Sequence, residues 1–158
     1  MSSNADSLSL PSHAMPGFLA GTIVGLLQAT EKDARGGGDK QLRVLLVDDN
    51  ADGLKMFEKL LSRLGYEVRA VASGKAALEL GTSFRPHVVL LDLGMPEMDG
   101  FETASAMRKQ PWGAATTLIA LTGWGQPEDI ERTMRAGFFG HLLKPLRLTE
   151  LLAILKKQ

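Results

Sequence analysis

His87-Val88-Val89-Leu90-Leu91-Asp92 is a run of apolar side chains closed by a carboxylate. A strand with one wet face alternates apolar and polar residues. A run that is apolar throughout suits a strand covered on both faces, as in a parallel sheet packed between helices. Two more runs share this texture: Leu42-Arg43-Val44-Leu45-Leu46-Val47, followed by Asp48-Asp49, and Leu118-Ile119-Ala120-Leu121, followed by Thr122. Between the runs, Leu54, Phe57, Leu60, Leu61 and Leu64 recur at helical spacing up to Gly65, and Phe101, Ala104 and Met107 mark another helix. Glu67 to Val71 alternates as a less buried strand would. Lys75 to Leu80 reads as a short helix closed by Gly81, and Ile130 and Met134 mark a helix ending at Gly137. His141-Leu142-Leu143 supplies a last strand, before a helix with Leu148, Leu151, Leu152 and Leu155 on one face. Strict alternation of five strands and five helices predicts right-handed crossovers and an α/β fold, an open doubly wound parallel sheet with helices on both faces. Ligands of such sheets bind beyond the carboxyl ends of the strands.

The composition bounds what this fold can serve. The chain of 158 residues balances 18 Lys and Arg against 18 Asp and Glu, is 44% hydrophobic and 23% charged, and has no Cys. That suffices for one globular domain with a buried core. Zero net charge argues against a nucleic-acid or anionic-membrane partner, because phosphate affinity comes largely from a basic surface. Without Cys there is no disulfide framework, thiolate zinc site or cysteine nucleophile, which suits the cytoplasm. Residues 1–40 differ in texture from the rest. Their apolar stretch from Phe18 to Leu27 is shorter than the ~20 residues that span a bilayer and lacks the basic residues that precede a secretory signal. It gives way to Gly36-Gly37-Gly38, a flexible-linker composition. The expected division is an N-terminal extension over residues 1–40 and a folded domain over residues 41–158.

The strand ends gather Asp48, Asp49, Asp92, Thr122 and Lys144-Pro145 at one edge of the predicted sheet. Singly, each has an ordinary role: Asn50 and Asp52 suit a helix cap, a Thr satisfies local backbone groups, and a Lys before Pro lies at the surface. Together, three acids, a hydroxyl and an amine converge on one crevice. Three close carboxylates repel unless a cation is present or their pKa values rise. A hard divalent ion suits them, and Mg²⁺ in particular keeps waters and completes its shell with phosphate oxygens. A carboxylate can attack phosphorus to form an aspartyl phosphate, and phosphoryl transfer asks the protein chiefly for positioning and charge neutralisation. Asp92, on the central strand with acids on one side and Thr122 and Lys144 on the other, is the candidate nucleophile. The Leu93-Gly94-Met95-Pro96 turn reads as flexible, letting a backbone carbonyl reach the ion.

From Gln41 to Lys156 the chain resembles the receiver domain of two-component response regulators. The resemblance is carried by Val44-Leu45-Leu46-Val47-Asp48-Asp49-Asn50, Leu90-Leu91-Asp92-Leu93-Gly94-Met95-Pro96-Glu97-Met98-Asp99-Gly100, Ala120-Leu121-Thr122-Gly123 and Leu143-Lys144-Pro145, in this order and at these separations. It implies a flavodoxin-like sheet of strand order 2-1-3-4-5. It also implies that Asp92 accepts a phosphoryl group from a phosphohistidine on a histidine kinase or histidine phosphotransfer domain. Asp49 and Asp92 would bind Mg²⁺ directly, with Mn²⁺ as a substitute, Asp48 through water, and the Gly94 carbonyl as a further ligand. Thr122 would hydrogen-bond the phosphoryl group, Lys144 would pair with it, and the Lys144–Pro145 peptide bond would be cis. The implied protein is a signalling domain, not a turnover enzyme.

The chain departs from the family pattern at the switch, where an aromatic residue on the last strand moves together with Thr122: here the position holds His141. The two positions that tune aspartyl-phosphate lifetime hold Gly94 and Trp124, neither of which can orient a hydrolytic water through a carboxylate or amide. Thr122-Gly123-Trp124-Gly125-Gln126 and Gly140-His141-Leu142 look like the receivers of hybrid kinases. The family docks its donor helix on the first helix, here bearing Leu54 and Met56. It uses the last strand and its flanking helices for downstream docking proteins or self-dimers. That face carries Arg132, Arg135, Arg147 and Lys156 beside Glu128, Asp129, Glu131 and Glu150. Only one helix is expected after Lys144, so no output module is expected within the chain. Two other functions share parts of the pattern. A Mg²⁺-dependent aspartyl-phosphate phosphatase would want Asp-x-Asp where Asp92-Leu93-Gly94 stands, and a phosphorylation-independent interaction module would not need the complete acid, Thr and Lys set.

Overall fold

The computed structural model describes residues 41–158 apart from 124 and 126; the extension expected over residues 1–40 lies outside the described residues. Five strands and five helices alternate: β1 (Arg43–Val47), α1 (Ala51–Arg63), β2 (Glu67–Val71), α2 (Gly74–Phe84), β3 (Val88–Asp92), α3 (Gly100–Arg108), β4 (Thr117–Thr122), α4 (Pro127–Arg135), β5 (Gly140–Leu143) and α5 (Leu148–Leu155). All strand pairs are parallel and the order is β2-β1-β3-β4-β5, as the resemblance implies. The order reverses beside β1, so the crevice of the doubly wound sheet opens at the ends of β1 and β3, where Asp48 and Asp92 stand.

Register explains why β1, β3 and β4 are apolar throughout. Leu45, Val89 and Leu118 lie abreast, as do Val47, Leu91 and Ala120, and these two rows pack under Ala77 and Phe84 of α2 and Ala104 and Met107 of α3. The alternate rows, which include Leu46 and Leu121, face a cleft shared with Leu54 and Phe57 of α1. Both faces are dry, and β3 is buried at every position. Helix starts are capped by side chains the sequence supplies locally. Asn50 accepts from the Gly53 N–H, Ser73 from that of Ala76, and Asp99 from that of Glu102.

Two expectations are corrected. Gly81 does not close α2. The helix runs on to Phe84 and ends at Arg85 in the left-handed region, and Gly81 is buried inside it. A Cβ at Gly81 would lie 2.1 Å from Cζ2 of Trp112, so the glycine makes room for an indole from the α3–β4 connection. Met134 does not mark the buried face of α4. It is 56% exposed, and the position of α4 that is buried is Thr133.

The Gly81–Trp112 contact yields a test. In an ordinary helix interior, Gly→Ala stabilises by about 1 kcal/mol. Here the added methyl must displace an indole, so Gly81→Ala is expected to lower stability by about 1–3 kcal/mol in urea denaturation. Trp112→Leu in the same chain should recover part of that loss.

Candidate functional site

The strand ends do converge. Asp48 follows β1 directly and is buried, Asp92 is the last residue of β3 and 5% exposed, and Asp49 faces solvent. One carboxylate oxygen from each lies within 4.8 Å of the other two. Lys144, just beyond β5, places its Nζ 2.8 Å from Oδ2 of Asp48 and 3.2 Å from Oδ2 of Asp92. The second oxygen of each buried acid is held by backbone. The Asn50 N–H donates to Oδ1 of Asp48 at 3.0 Å, and the Gly94 N–H donates to Oδ1 of Asp92 at 3.1 Å. Thr122 ends β4, buried, and its carbonyl accepts from the Lys144 N–H at 2.8 Å. The Lys144–Pro145 peptide bond is cis.

The electrostatics divide the two buried acids. Burial pushes Asp48 up, but the Lys144 ammonium and the Asn50 N–H outweigh it and hold this carboxyl below its ordinary value. Burial also pushes Asp92 up. The Gly94 N–H pulls it back, the negative charge of Asp48 adds to the rise, and the net position is above the ordinary value. Lys144 loses by burial and gains more from the two carboxylates, so its ammonium is held above its usual range. The site is short of positive charge at Asp92. An all-oxygen, all-carboxylate donor set with this deficit fits a hard divalent cation such as Mg²⁺.

The turn after Asp92 differs from the flexible segment expected. Leu93 and Met95 are each 5% exposed and belong to the core, leaving Gly94, Pro96 and Glu97 outside. Glu97 has φ 65°, a conformation uncommon for a non-glycine residue. Gly100 is obligatory at the next helix start: a Cβ there would fall 2.5 Å from the Asp92 carbonyl oxygen. His141 stands abreast of Ala120 and Leu143 abreast of Thr122, so Thr122, His141 and Leu143 share one face of the sheet. Trp124, the second of the positions read as tuning aspartyl-phosphate lifetime, lies outside the described residues.

Beside the acids, a cleft of about 490 Å³ runs between α1 and the β5–α5 connection, lined in part by Asp48, Lys144, Met56, Phe57, Pro145 and Leu146. Met56 is 53% exposed on its rim. Met56 and Leu54 were legible as docking candidates. Phe57 and Leu146 were not, because nothing local in the sequence brings them together. The α4–β5 side exposes Met134, Phe139 and Leu143 among its charges, an apolar content the charge pattern did not suggest. No helix among the described residues is long and apolar enough to cross a membrane.

Comparison with known proteins agrees with this geometry. Residues 44–156 match the model of the response regulator receiver domain. An uncharacterized 14.6 kDa protein of Leptolyngbya boryana is 34% identical over 117 residues, covering 74% of this chain and 89% of that protein. The regulatory protein AtoC of Escherichia coli is 33% identical over 73% of this chain, which spans only 24% of AtoC. Among solved structures, the chemotaxis protein CheY4 of Vibrio cholerae superposes with a TM-score of 0.71 at 34% identity, covering 75% of this chain and 98% of that one.

The charge deficit at Asp92 has a measurable sign. A carboxyl whose pKa is higher folded than unfolded destabilises the fold at pH values above both, so ionised Asp92 costs stability near neutrality. Asp92→Asn is expected to raise the melting temperature by a few degrees in EDTA at pH 7. Added Mg²⁺ should stabilise the unaltered chain and the variant much less, checked by calorimetry across a Mg²⁺ titration.

Proposed function

The chain belongs to the response regulator receiver domain family of two-component signal transduction, and from that premise we propose that Asp92 is its phosphoacceptor. An Asp92 carboxylate oxygen attacks the phosphorus of a phosphohistidine on a histidine kinase or histidine phosphotransfer domain. The P–N bond breaks, its electron pair returns to the imidazole, and Asp92 carries the phosphoryl group. The observation that carries this reading is Lys144, whose ammonium already bridges Asp48 and Asp92 at 2.8 and 3.2 Å. It needs only to follow the phosphoryl group outward to pair with it, while Thr122 donates a hydrogen bond from the end of β4. Asp49 and Asp92 would hold Mg²⁺, or Mn²⁺ in its place, directly, with Asp48 acting through water and the Gly94 carbonyl as a further ligand. When bound, the ion supplies positive charge against the phosphoryl oxygens.

The receiver occupies residues 41–158 in this reading, and residues 1–40 form an extension. Its proposed setting is the cytoplasm. The donor helix docks on the exposed Met56 side of α1 and the adjoining cleft. His141 shares a face with Thr122, which supports a switch in which the two move together. The exposed Met134, Phe139 and Leu143 support a downstream docking protein or a second copy of the chain on the α4–β5 side. The domain acts as a signalling element that turns over only its own phosphoryl group.

Acetyl phosphate or beryllofluoride with Mg²⁺ tests the assignment. Stoichiometric modification lost in Asp92→Asn is expected. Multiple turnover would indicate a phosphatase instead, and no response a module that no longer takes phosphate. Gly94 and Trp124 provide no group to orient a hydrolytic water, so the phosphoform should persist for roughly many minutes in Mg²⁺ buffer. Loss of label within seconds from the purified phosphoprotein would refute that lifetime.

A further inference from the structure

Two contacts lead from the acceptor loop to α4, and another ties the same corner to the chain entering β5. First, Gly100 opens α3 against the chain leaving Asp92: its N–H donates to the Leu93 carbonyl at 3.3 Å, and a Cβ would meet Leu93 Cα at 2.7 Å. Nothing separates the first turn of α3 from the backbone of the acceptor. Second, the next residue, Phe101, packs edge-on against Phe138, with ring centroids 6.1 Å apart and planes at 87°. Phe138 is 3% exposed, leads into β5 and belongs to the core. Third, the guanidinium carbon of Arg132, on α4, lies 4.1 Å from the Phe101 ring centroid. The far end of α3 is tied to the same corner differently. Arg108 donates to the carbonyls of Gly113, Thr116 and Gly137.

These ties differ in kind. Arg108 holds backbone carbonyls and belongs to the permanent frame, whereas Arg132 is exposed and its one ring contact can be made or released without unfolding anything. A guanidinium over an aromatic face is worth a modest amount at an exposed site, which suits an element that must move. We propose that Arg132 is a positioning residue for the phosphoacceptor. Through Phe101 it couples the placement of α4 to the segment from Asp92 to Gly100. This rests on the assignment of Asp92 as phosphoacceptor. Coupling of this kind is reciprocal: what occupies Asp92 biases α4, and what binds α4 biases Asp92. A contact can shift that balance only by its own worth.

Beryllofluoride with Mg²⁺, titrated by calorimetry against the full chain, reads the coupling. Arg132→Ala should change beryllofluoride affinity about two- to five-fold. Arg132→Lys, which keeps a cation over the ring, should stay within about two-fold of the unaltered chain. Phe101→Leu should shift binding in the same direction as Arg132→Ala, and Arg132→Ala added to it should change nothing further. Amide exchange across α4 should speed up in Arg132→Ala without the ligand, a readout available whatever the stability of Phe101→Leu. A purely structural role would shift melting temperature and leave the affinity alone. Unchanged binding in Arg132→Ala, or additivity in the double variant, overturns the coupling. Failure of the unaltered chain to bind beryllofluoride in an Asp92-dependent way would instead overturn the phosphoacceptor assignment, and the coupling with it.

Discussion

Everything at the top of the sheet depends on one electrostatic arrangement, two buried carboxylates held apart from water and together by a single ammonium. Like charges at this range cannot both be ionised in a poorly solvated crevice unless something compensates. Lys144 and the Asn50 N–H together outweigh the burial of Asp48, whereas Asp92 is compensated only in part. The imbalance sets the chemistry open to the site, because three close acids with spare negative charge suit a hard cation. Backbone N–H groups from Asn50 and Gly94 fix the orientation of each acid, so neither depends on a mobile side chain for its direction.

The fold's part is to deliver those groups. Apolar strands buried on both faces have one tolerable place for charge, the strand end, and the parallel order puts the ends of β1, β3, β4 and β5 along one edge. Asp48, Asp92, Thr122 and Lys144 occupy those ends. The helices that cover the sheet are fixed by local caps at Asn50, Ser73 and Asp99, and by Arg108, which gathers three carbonyls from two segments of chain. Rigid surroundings of this kind keep the acids close despite their repulsion.

Most of this was legible in the sequence, since periodicity and strand ends are local properties. The uninterrupted apolar text of β1, β3 and β4 announced a sheet dry on both faces, and the residues just after each run announced the crevice. The misreadings were of two sorts. Gly81 was taken for a helix stop because glycine usually is one, yet its reason is Trp112, far along the chain, and such a partner has no signature near Gly81. The turn after Asp92 was taken for a flexible one from its Gly and Pro. The burial of Leu93 and Met95 depends on α2 and α3 closing over them, a tertiary circumstance that composition does not encode. Ile130 and Met134 marked α4 by their spacing, while the buried position on that helix is Thr133.

Those buried anchors also divide the acceptor loop into parts with different freedoms. The chain from Asp92 to Gly100 is pinned at Leu93 and Met95 in the core and at Asp99 on the helix cap, and Gly100 abuts the carbonyl of Asp92 itself. Its contour length is therefore spoken for, and an inserted residue would have to lift an anchor or uncap α3. Gly94, Pro96 and Glu97 lie outside this frame. Substitution at those three positions leaves the anchors in place, so what the loop exposes and how far it reaches are separable traits of the same nine residues.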